Sequence, residues 1–178
     1  MKHISLPGAD QLAPTFDDPL GMLEACHGRI SAQCVLLDKL AQHLEARGWD
    51  EQVSQAATQI LRYFDTAGQF HHQDEEVDLF PQLLASGDPA AAGLIAVLLA
   101  EHRELEQRWQ ALRPGLLGLG SGTLTRLEDG IVPRFNAGYA AHIALENTRL
   151  LPLAERLLDF NQRAALGKRM AARRGFRG

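Results

Sequence analysis

Two histidine–glutamate pairs with helical spacing are the residues of this sequence best suited to chemistry. His71 precedes Glu75 by four residues, and His142 precedes Glu146 by the same interval. Residues four apart share one face of a helix, so each pair presents an imidazole nitrogen and a carboxylate oxygen together. Several helices that direct such groups inward can hold two metal ions in the core of a bundle. The two pairs therefore predict a metal site.

Two further histidines, His27 and His102, lie in other segments that have a helical pattern of apolar residues. On a helical wheel of about 100° per residue, all four histidines share a stripe with core residues. A metal ion removes the cost of burying them, because it accepts the imidazole lone pair while carboxylates balance its charge. One such histidine alone is more typical of a core residue bonded to a carbonyl group or water. Four of them on separate helices favour a metal role.

The sequence leaves a choice of ligands in residues 71–76, which read HHQDEE. A second pair with the same spacing, His72 and Glu76, lies beside the first. The wheel places this second pair nearer to a polar flank, so the apolar face favours the first pair. On the third helical segment, Glu106 falls close to His102 and adds a carboxylate to the stripe.

Composition and periodicity indicate a single all-helical domain. The chain has 178 residues, of which 46% are hydrophobic and only 6% aromatic. The alternation of β-branched and aromatic residues that marks strands is missing. Four long amphipathic segments with short connections predict an all-α, antiparallel up-down-up-down four-helix bundle with a short C-terminal helical tail. We assign the bundle to residues 17–160, an N-terminal arm to residues 1–16 and a basic tail to residues 161–178.

Capping and breaking residues predict where the helices begin and end. The acidic pair Asp17 and Asp18 is expected to cap the first helix, Asp50 the second, and the turn at residues 86–89, which reads SGDP, the third. Gly48 is expected to end the first helix. Pro114 is expected to break the third helix, with residues 116–122 as a flexible connection. The fourth helix is then predicted to begin near Ser121 or Thr123 and to be kinked at Pro133.

Charge and cysteine content exclude several classes of protein. The formal net charge is -4, and no apolar run approaches the roughly 20 residues of a membrane span. Cys26 and Cys34 are expected to be free thiols, which fit a reducing cytoplasm. Residues 163–178 hold six Lys or Arg and no acid. A frayed, solvated tail is the favoured interpretation, and a docking segment for nucleic acid, membrane or an acidic partner is the alternative.

The sequence resembles the hemerythrin-like proteins, in particular the bacterial HHE cation-binding domains, over residues 18–158. Its HHQDEEVDLFPQLL is similar to the family's second-helix motif His-xxx-Glu-Glu-xx-Leu-Phe-Pro, and AEHRELEQRW and HIALENTRLLP are similar to its third- and fourth-helix segments. The resemblance implies two non-haem iron ions with an oxo or hydroxo bridge, and Glu75 and Glu146 bridging the ions. It maps metal ligands to six residues, which are His27, His71, Glu75, His102, His142 and Glu146.

One position departs from the oxygen-carrying members of that family. Those proteins have a further histidine four residues after the third-helix ligand, where this sequence has Glu106. A carboxylate there is expected to complete the coordination of the second iron ion, to hold a proton of the bound molecule, or to leave one coordination position of that ion open. It also makes the centre harder and more anionic. Glu106 is therefore included among the predicted metal-site residues.

The resemblance implies a protein that binds oxygen, nitric oxide or peroxide, in sensing or in a response to nitrosative or oxidative stress. A di-iron oxidase or peroxidase remains open, as does iron storage or delivery, including iron–sulfur cluster repair. Zinc also accepts imidazole and carboxylate ligands, but six or seven donors fit two ions better than one tetrahedral ion. No nucleic-acid partner is expected, and the sequence identifies neither a redox partner nor a protein partner.

Overall fold

The computed structural model describes residues 15–176, and the regular secondary structure of these residues is entirely helical. The elements are α1 (Pro19–Arg47), α2 (Glu51–Phe64), α3 (Ala67–Gln73), π1 (Asp74–Leu79), α4 (Phe80–Ala85), α5 (Pro89–Ser121), α6 (Ile131–Leu145), π2 (Glu146–Leu150), α7 (Leu151–Leu157) and α8 (Phe160–Arg173). Helices α1 and α5 each pack against both α2 and α6. The predicted all-α four-helix bundle is confirmed, and so is the short C-terminal helix, which is α8.

Side-chain caps begin the helices where the sequence predicts them. The carboxylates of Asp18, Asp50 and Asp88 each accept a hydrogen bond from a backbone N–H in the first turn. Gly48 follows α1 with a φ of 78°, in the left-handed region where a side chain would be strained. Local sequence signals therefore determine these four boundaries.

The connection between the third and fourth bundle helices differs from the prediction. Helix α5 continues through Pro114, and α6 begins only at Ile131. Leu116 and Leu119 are fully buried in the core, and their burial offsets the local cost of a proline inside the helix. Pro133 lies in the first turn of α6, where a missing N–H removes no helical hydrogen bond, so the predicted kink is wrong as well.

The C-terminal segment is a docked helix. Asp159 and Gln162 form a reciprocal capping box at the start of α8. Leu166 and Met170 are fully buried against the bundle. The interpretation of this segment as a frayed, solvated tail is therefore wrong for residues 161–173, because an apolar face holds them on the protein. Residues 1–14 of the predicted arm lie outside the described residues.

Both cysteines are buried and free, in agreement with the sequence prediction. Burial raises the pKa of the Cys34 thiol to about 12, with the charge of Asp38 as a smaller cause. Cys34 is therefore an unreactive core residue. Of the helices within residues 15–176, none is both long and apolar enough to cross a membrane.

A polar layer divides the apolar core into two clusters. Along α1, His27 lies between Leu23 of one cluster and Ile30 of the other, and the same change of cluster surrounds His102 on α5. A layer of polar groups inside a helical core is costly unless its members are paired or bind an ion. The residues of this layer, each at most 3% exposed, are His27, His71, Glu75, His102, His142 and Glu146.

Candidate metal centre

Both buried glutamates lie in short π-helical stretches. Glu75 is the second residue of π1, and Glu146 is the first residue of π2. Pro81 and Pro152 each follow six residues later, at the start of the next α-helix. Proline lacks an amide proton and crowds the preceding turn, so a widened turn before it accommodates the ring. Such π turns are frequent at functional sites.

Glu146 directs one carboxylate oxygen towards each of two histidine pairs. Its Oε2 lies 3.0 Å from Nε2 of His27 and 3.9 Å from Nε2 of His71. Its Oε1 lies 3.1 Å from Nε2 of His142 and 3.8 Å from Nε2 of His102. A carboxylate placed in this way can contact two cations at once.

Glu75 repeats this arrangement from the bundle helix that lies opposite, since α1 and α5 separate α2 from α6. Its Oε1 lies 3.6 Å from Nε2 of His71, and its Oε2 lies 3.4 Å from Nε2 of His102. The two glutamates therefore belong to both of two possible ligand groups. One group is His27, His71, Glu75 and Glu146, and the other is Glu75, His102, His142 and Glu146.

Three of the histidines have their outer nitrogen held by an oxygen atom. Amide and ionised carboxylate oxygens only accept hydrogen bonds, so they place the proton on Nδ1 and leave the Nε2 lone pair facing the centre. Metal-bound histidines are oriented in this way. The three bonds are His27 Nδ1 to Asn147 Oδ1 at 2.5 Å, His102 Nδ1 to Glu76 Oε1 at 2.7 Å and His142 Nδ1 to Glu101 Oε2 at 2.8 Å.

Unpaired buried atoms are concentrated at this centre. Among the described residues, ten buried side-chain nitrogen or oxygen atoms lack a hydrogen-bond partner, and eight of them lie here. Each such atom costs about 1–3 kcal/mol when nothing satisfies it. Cations at the centre would contact these atoms other than Nδ1 of His71, the ring nitrogen that faces away from both glutamates, so the residues present fit a metal pair. The eight atoms belong to His27, His71, His72, Glu75 and Glu146.

His72 joins the centre although the helical wheel favours its neighbour. Its ring stacks on that of His102, with centroids 4.2 Å apart and planes inclined by 19°. Nitrogen atoms of His72, His102 and His142 all lie within 4.8 Å of one another. Burial, together with the charges of neighbouring histidines, lowers the pKa of His72 to about 3. The ring is therefore neutral near pH 7 and retains a lone pair for a metal ion.

The structure does not bring Glu106 to the centre. Its half-exposed carboxylate accepts hydrogen bonds from Nε2 of Gln110 at 2.7 Å and from Nε2 of Gln69 at 3.4 Å. None of the ligand groups within residues 15–176 includes it. The polar partners on α3 and α5 hold the side chain beside the centre, so the geometry does not support the expectation that Glu106 is a ligand.

Protonation at the centre follows from burial and from close contacts. Burial and the charge of Glu146 raise the pKa of Glu75 to about 8. Burial alone would raise the pKa of Glu146 too, but its contacts with three histidines hold that pKa well below the usual range. Burial opposes the charged form of His102, yet contacts with both glutamates raise its pKa to about 10. Without a metal the centre therefore retains protons, which a cation would displace.

Comparison with known protein families matches residues 18–154 to the hemerythrin HHE cation-binding domain. This chain belongs to the hemerythrin HHE family. The resemblance seen in the sequence is thereby confirmed, and the HHE domain of this chain is a helical domain of a cation-binding family. A relative from Haemophilus influenzae, described as an uncharacterized protein, is 36% identical over 160 residues, which cover 90% of this chain and 92% of that one.

Proposed function

We propose that this protein is a non-haem di-iron protein that binds a small ligand, either oxygen, nitric oxide or peroxide, at its buried centre. The observation that carries the proposal is that Glu75 and Glu146 each face two separate groups of histidines. One ion would be held by His27 and His71. The other would be held by His72, His102 and His142, and the two glutamates would be shared by both ions.

The donor set supports iron over other common metal ions. Calcium and magnesium prefer oxygen ligands, whereas imidazole nitrogens dominate here. Zinc accepts these donors but is typically tetrahedral in protein sites, and two groups that share carboxylates suit ions with more ligands. Iron bound by histidine and carboxylate retains open positions for an exogenous ligand and supplies reversible redox chemistry.

The chain's own residues surround the buried centre with aromatic and apolar side chains that would keep it rigid and dry. Phe80 stacks on the ring of His102 with centroids 5.7 Å apart, and His72 stacks on the same ring. These contacts fix the orientation of the imidazole. The two apolar clusters on either side of the polar layer exclude water, which strengthens electrostatic contacts at the centre. Tyr139 lies at this boundary, and burial raises the pKa of its hydroxyl, which therefore keeps its proton.

Metal analysis of protein from iron-supplemented cultures tests the composition of the centre. We expect two iron ions per chain, one for each ligand group. Glu146→Ala should lose both ions, because its carboxylate faces both groups, whereas His27→Ala should retain one. His43→Ala is the matched control, since His43 pairs with Asp50 at a helix end and should leave the metal content unchanged. One zinc and no iron per chain would contradict the proposal.

Anaerobic titration of the ferrous protein tests ligand binding. We expect oxygen, nitric oxide or peroxide to produce new near-ultraviolet and visible absorption bands that saturate, and Glu146→Ala to produce none. Continued consumption of a reductant together with oxygen or peroxide would support the oxidase or peroxidase alternative. An iron-loaded protein whose spectrum none of the three molecules changes would rule out the proposed ligand binding.

A further inference from the structure

Helix α8 lies beyond residue 154, where the family match ends, yet it contacts the scaffold of the metal centre. It packs against α1 and π1. Leu166 and Met170 anchor its apolar face in the core. Gly167 allows so close an approach that a Cβ at this position would overlap the carbonyl oxygen of Phe16. The helix is therefore held in one position on the bundle.

Three arginines near the end of α8 meet two aspartates of π1. Arg173 pairs with Asp74, and its Nη2 lies 2.5 Å from Oδ2 of Asp78. Arg174 Nη2 lies 2.6 Å from Oδ2 of Asp74, and Arg169 Nε lies 2.6 Å from Oδ1 of Asp78. Each aspartate is thus contacted by two guanidinium groups. The charges of these three arginines are therefore paired within the chain itself.

The two aspartates are buried, so they depend on these arginines. Asp74 is 0% exposed and Asp78 is 5% exposed. A buried carboxylate is strongly destabilising when its cationic partner is removed. Asp74 directly precedes Glu75, and both aspartates lie in the same π-helical stretch as that glutamate. Because Asp74, Glu75 and Asp78 belong to one continuous π-helical stretch, contacts that hold the two aspartates also restrain the backbone of Glu75.

We propose that Arg173 and Arg174 are positioning residues of the metal centre, and that α8 clamps π1 so that Glu75 keeps the orientation needed to share two metal ions. The inference rests on the proposed function, since it concerns how the same centre retains its metal. It assigns a role at the centre to a helix outside the family match. If α8 only adds stability, its arginines will affect unfolding without affecting metal retention in the folded protein.

The test is the rate at which ferrous-loaded protein releases iron to an excess of a ferrous chelator. Changing an outer contact of a metal ligand typically weakens metal binding about 10–100-fold, so we expect the double variant Arg173→Ala/Arg174→Ala to release iron about tenfold faster. Lys168→Ala removes one charge from an exposed position of the same helix and should release iron at the wild-type rate. Arg173→Lys/Arg174→Lys keeps both charges and should restore slow release in part.

Two further measurements separate positioning from stability. Adding Asp74→Asn to the double alanine variant should cause no further acceleration if the arginines act through that carboxylate. Gly167→Ala leaves every charge in place but displaces α8 from Phe16, and should also accelerate release. The cobalt-loaded double variant should show a changed visible spectrum, because the ligands of the ion are reoriented.

The failures of the two proposals are distinguishable. Wild-type protein that binds no metal overturns the proposed function and this inference together. Wild-type protein that binds iron, with a folded double variant that releases it at the wild-type rate, overturns only the clamp. If the double variant does not fold, Gly167→Ala decides the question. The clamp is then overturned if Gly167→Ala releases iron at the wild-type rate and its cobalt-loaded form has the wild-type spectrum.

Discussion

The Nε2 atoms of His102 and His142 lie 3.1 Å apart, in rings whose Nδ1 atoms each face a carboxylate. With the protons on Nδ1, both Nε2 atoms carry lone pairs and cannot hydrogen-bond to each other. A proton or a cation between them is therefore required. Two imidazole nitrogens about 2.1 Å from one ion, at right angles, stand about 3 Å apart. The observed separation fits two ligands of one ion, and without a metal it fits a hydrogen bond that protonated His102 donates to His142.

The carboxylate behind His142 should control metal affinity without contacting the ion. The carboxylate of Glu101 accepts a hydrogen bond from Nδ1 of His142, and this bond orients the imidazole and makes it more basic. Glu101→Ala removes the bond, so metal affinity should fall about 10–100-fold. Competition with a chelator of known affinity measures the change. Glu104→Ala is the control on the same helix, since that side chain is 65% exposed and pairs with Arg108. Equal affinities in wild-type and Glu101→Ala protein would mean that this bond has no role in metal binding.

Substitutions of His72 and Glu106 should have opposite effects on the metal centre. If the geometry of the centre persists when metal binds, His72→Ala should lower the occupancy of the ion held by His102 and His142 and shift the visible bands of the loaded protein. Glu106→Ala should leave both metal content and spectrum unchanged, because Gln69 and Gln110 hold that carboxylate away. Metal content and absorption spectra of the two variants, measured side by side, decide the question. The reverse outcome would show that Glu106 moves to the metal on binding.

The ligand pairs could be predicted from sequence because they follow the same spacing as the core. His71 and His142 share apolar stripes with their neighbours, and burial of those stripes orients all members together. The place of His72 could not be predicted in this way, because the wheel selects one direction for the site, whereas the adjacent residues His71 and His72 both offer a nitrogen to it. Proline six residues after each buried glutamate, at Pro81 and Pro152, is the local sequence feature that accompanies the widened turns of π1 and π2.

Other errors came from contacts between residues far apart in sequence. The helix-breaking tendency of Pro114 is a local property, whereas the burial of Leu116 and Leu119 depends on partners in other helices. The basic segment appeared solvated because its acidic partners are about a hundred residues away, where Arg173 meets Asp74. Amphipathic periodicity alone does not identify such partners, so the overall fold was predictable and these contacts were not.

Pro114 should be a removable cost to stability. It lies inside α5 and is exposed, so Pro114→Ala restores a helical hydrogen bond and relieves a steric clash. Helix propensity favours alanine by about 3 kcal/mol, and the greater freedom of the unfolded variant cancels up to about 1 kcal/mol of this. We expect the free energy of unfolding to rise by about 2–3 kcal/mol in denaturant titrations, with unchanged metal content.

The control for this change is Pro89→Ala, in the first turn of the same helix. At this position a backbone N–H would have no carbonyl acceptor within the helix. The alanine variant should therefore show no rise in the free energy of unfolding. A gain of the same size in both variants would mean that the gain does not come from removing a proline from the interior of α5, because the freer unfolded chain can only lower stability. A loss of stability in Pro114→Ala would mean that the proline ring makes contacts that outweigh its local cost.

The ion pair of Asp65 with Arg113 should make stability depend on pH in the acidic range. Arg113 donates from Nε and Nη2 to the carboxylate at 2.9 Å each, and Trp109 Nε1 donates to it at 3.2 Å. The bonds from Arg113 lower the pKa of Asp65, against a smaller opposing effect of burial. Because the pair is one-third exposed, Asp65→Asn should cost only about 1 kcal/mol near pH 7.

The pKa of Asp65 is lower in the folded protein than in the unfolded chain, where a carboxyl group has its ordinary pKa of about 3.9. The stabilisation is therefore fully present above that ordinary value and is lost as the pH falls through the lower pKa of the folded protein. The difference in unfolding free energy between wild type and Asp65→Asn should therefore stay constant from about pH 7 to pH 5 and shrink below about pH 4. Asp129→Asn, at an exposed position, should show little difference at any pH. A wild-type advantage that grows on acidification would contradict the assignment, because protonation of Asp65 removes the charge that Arg113 binds.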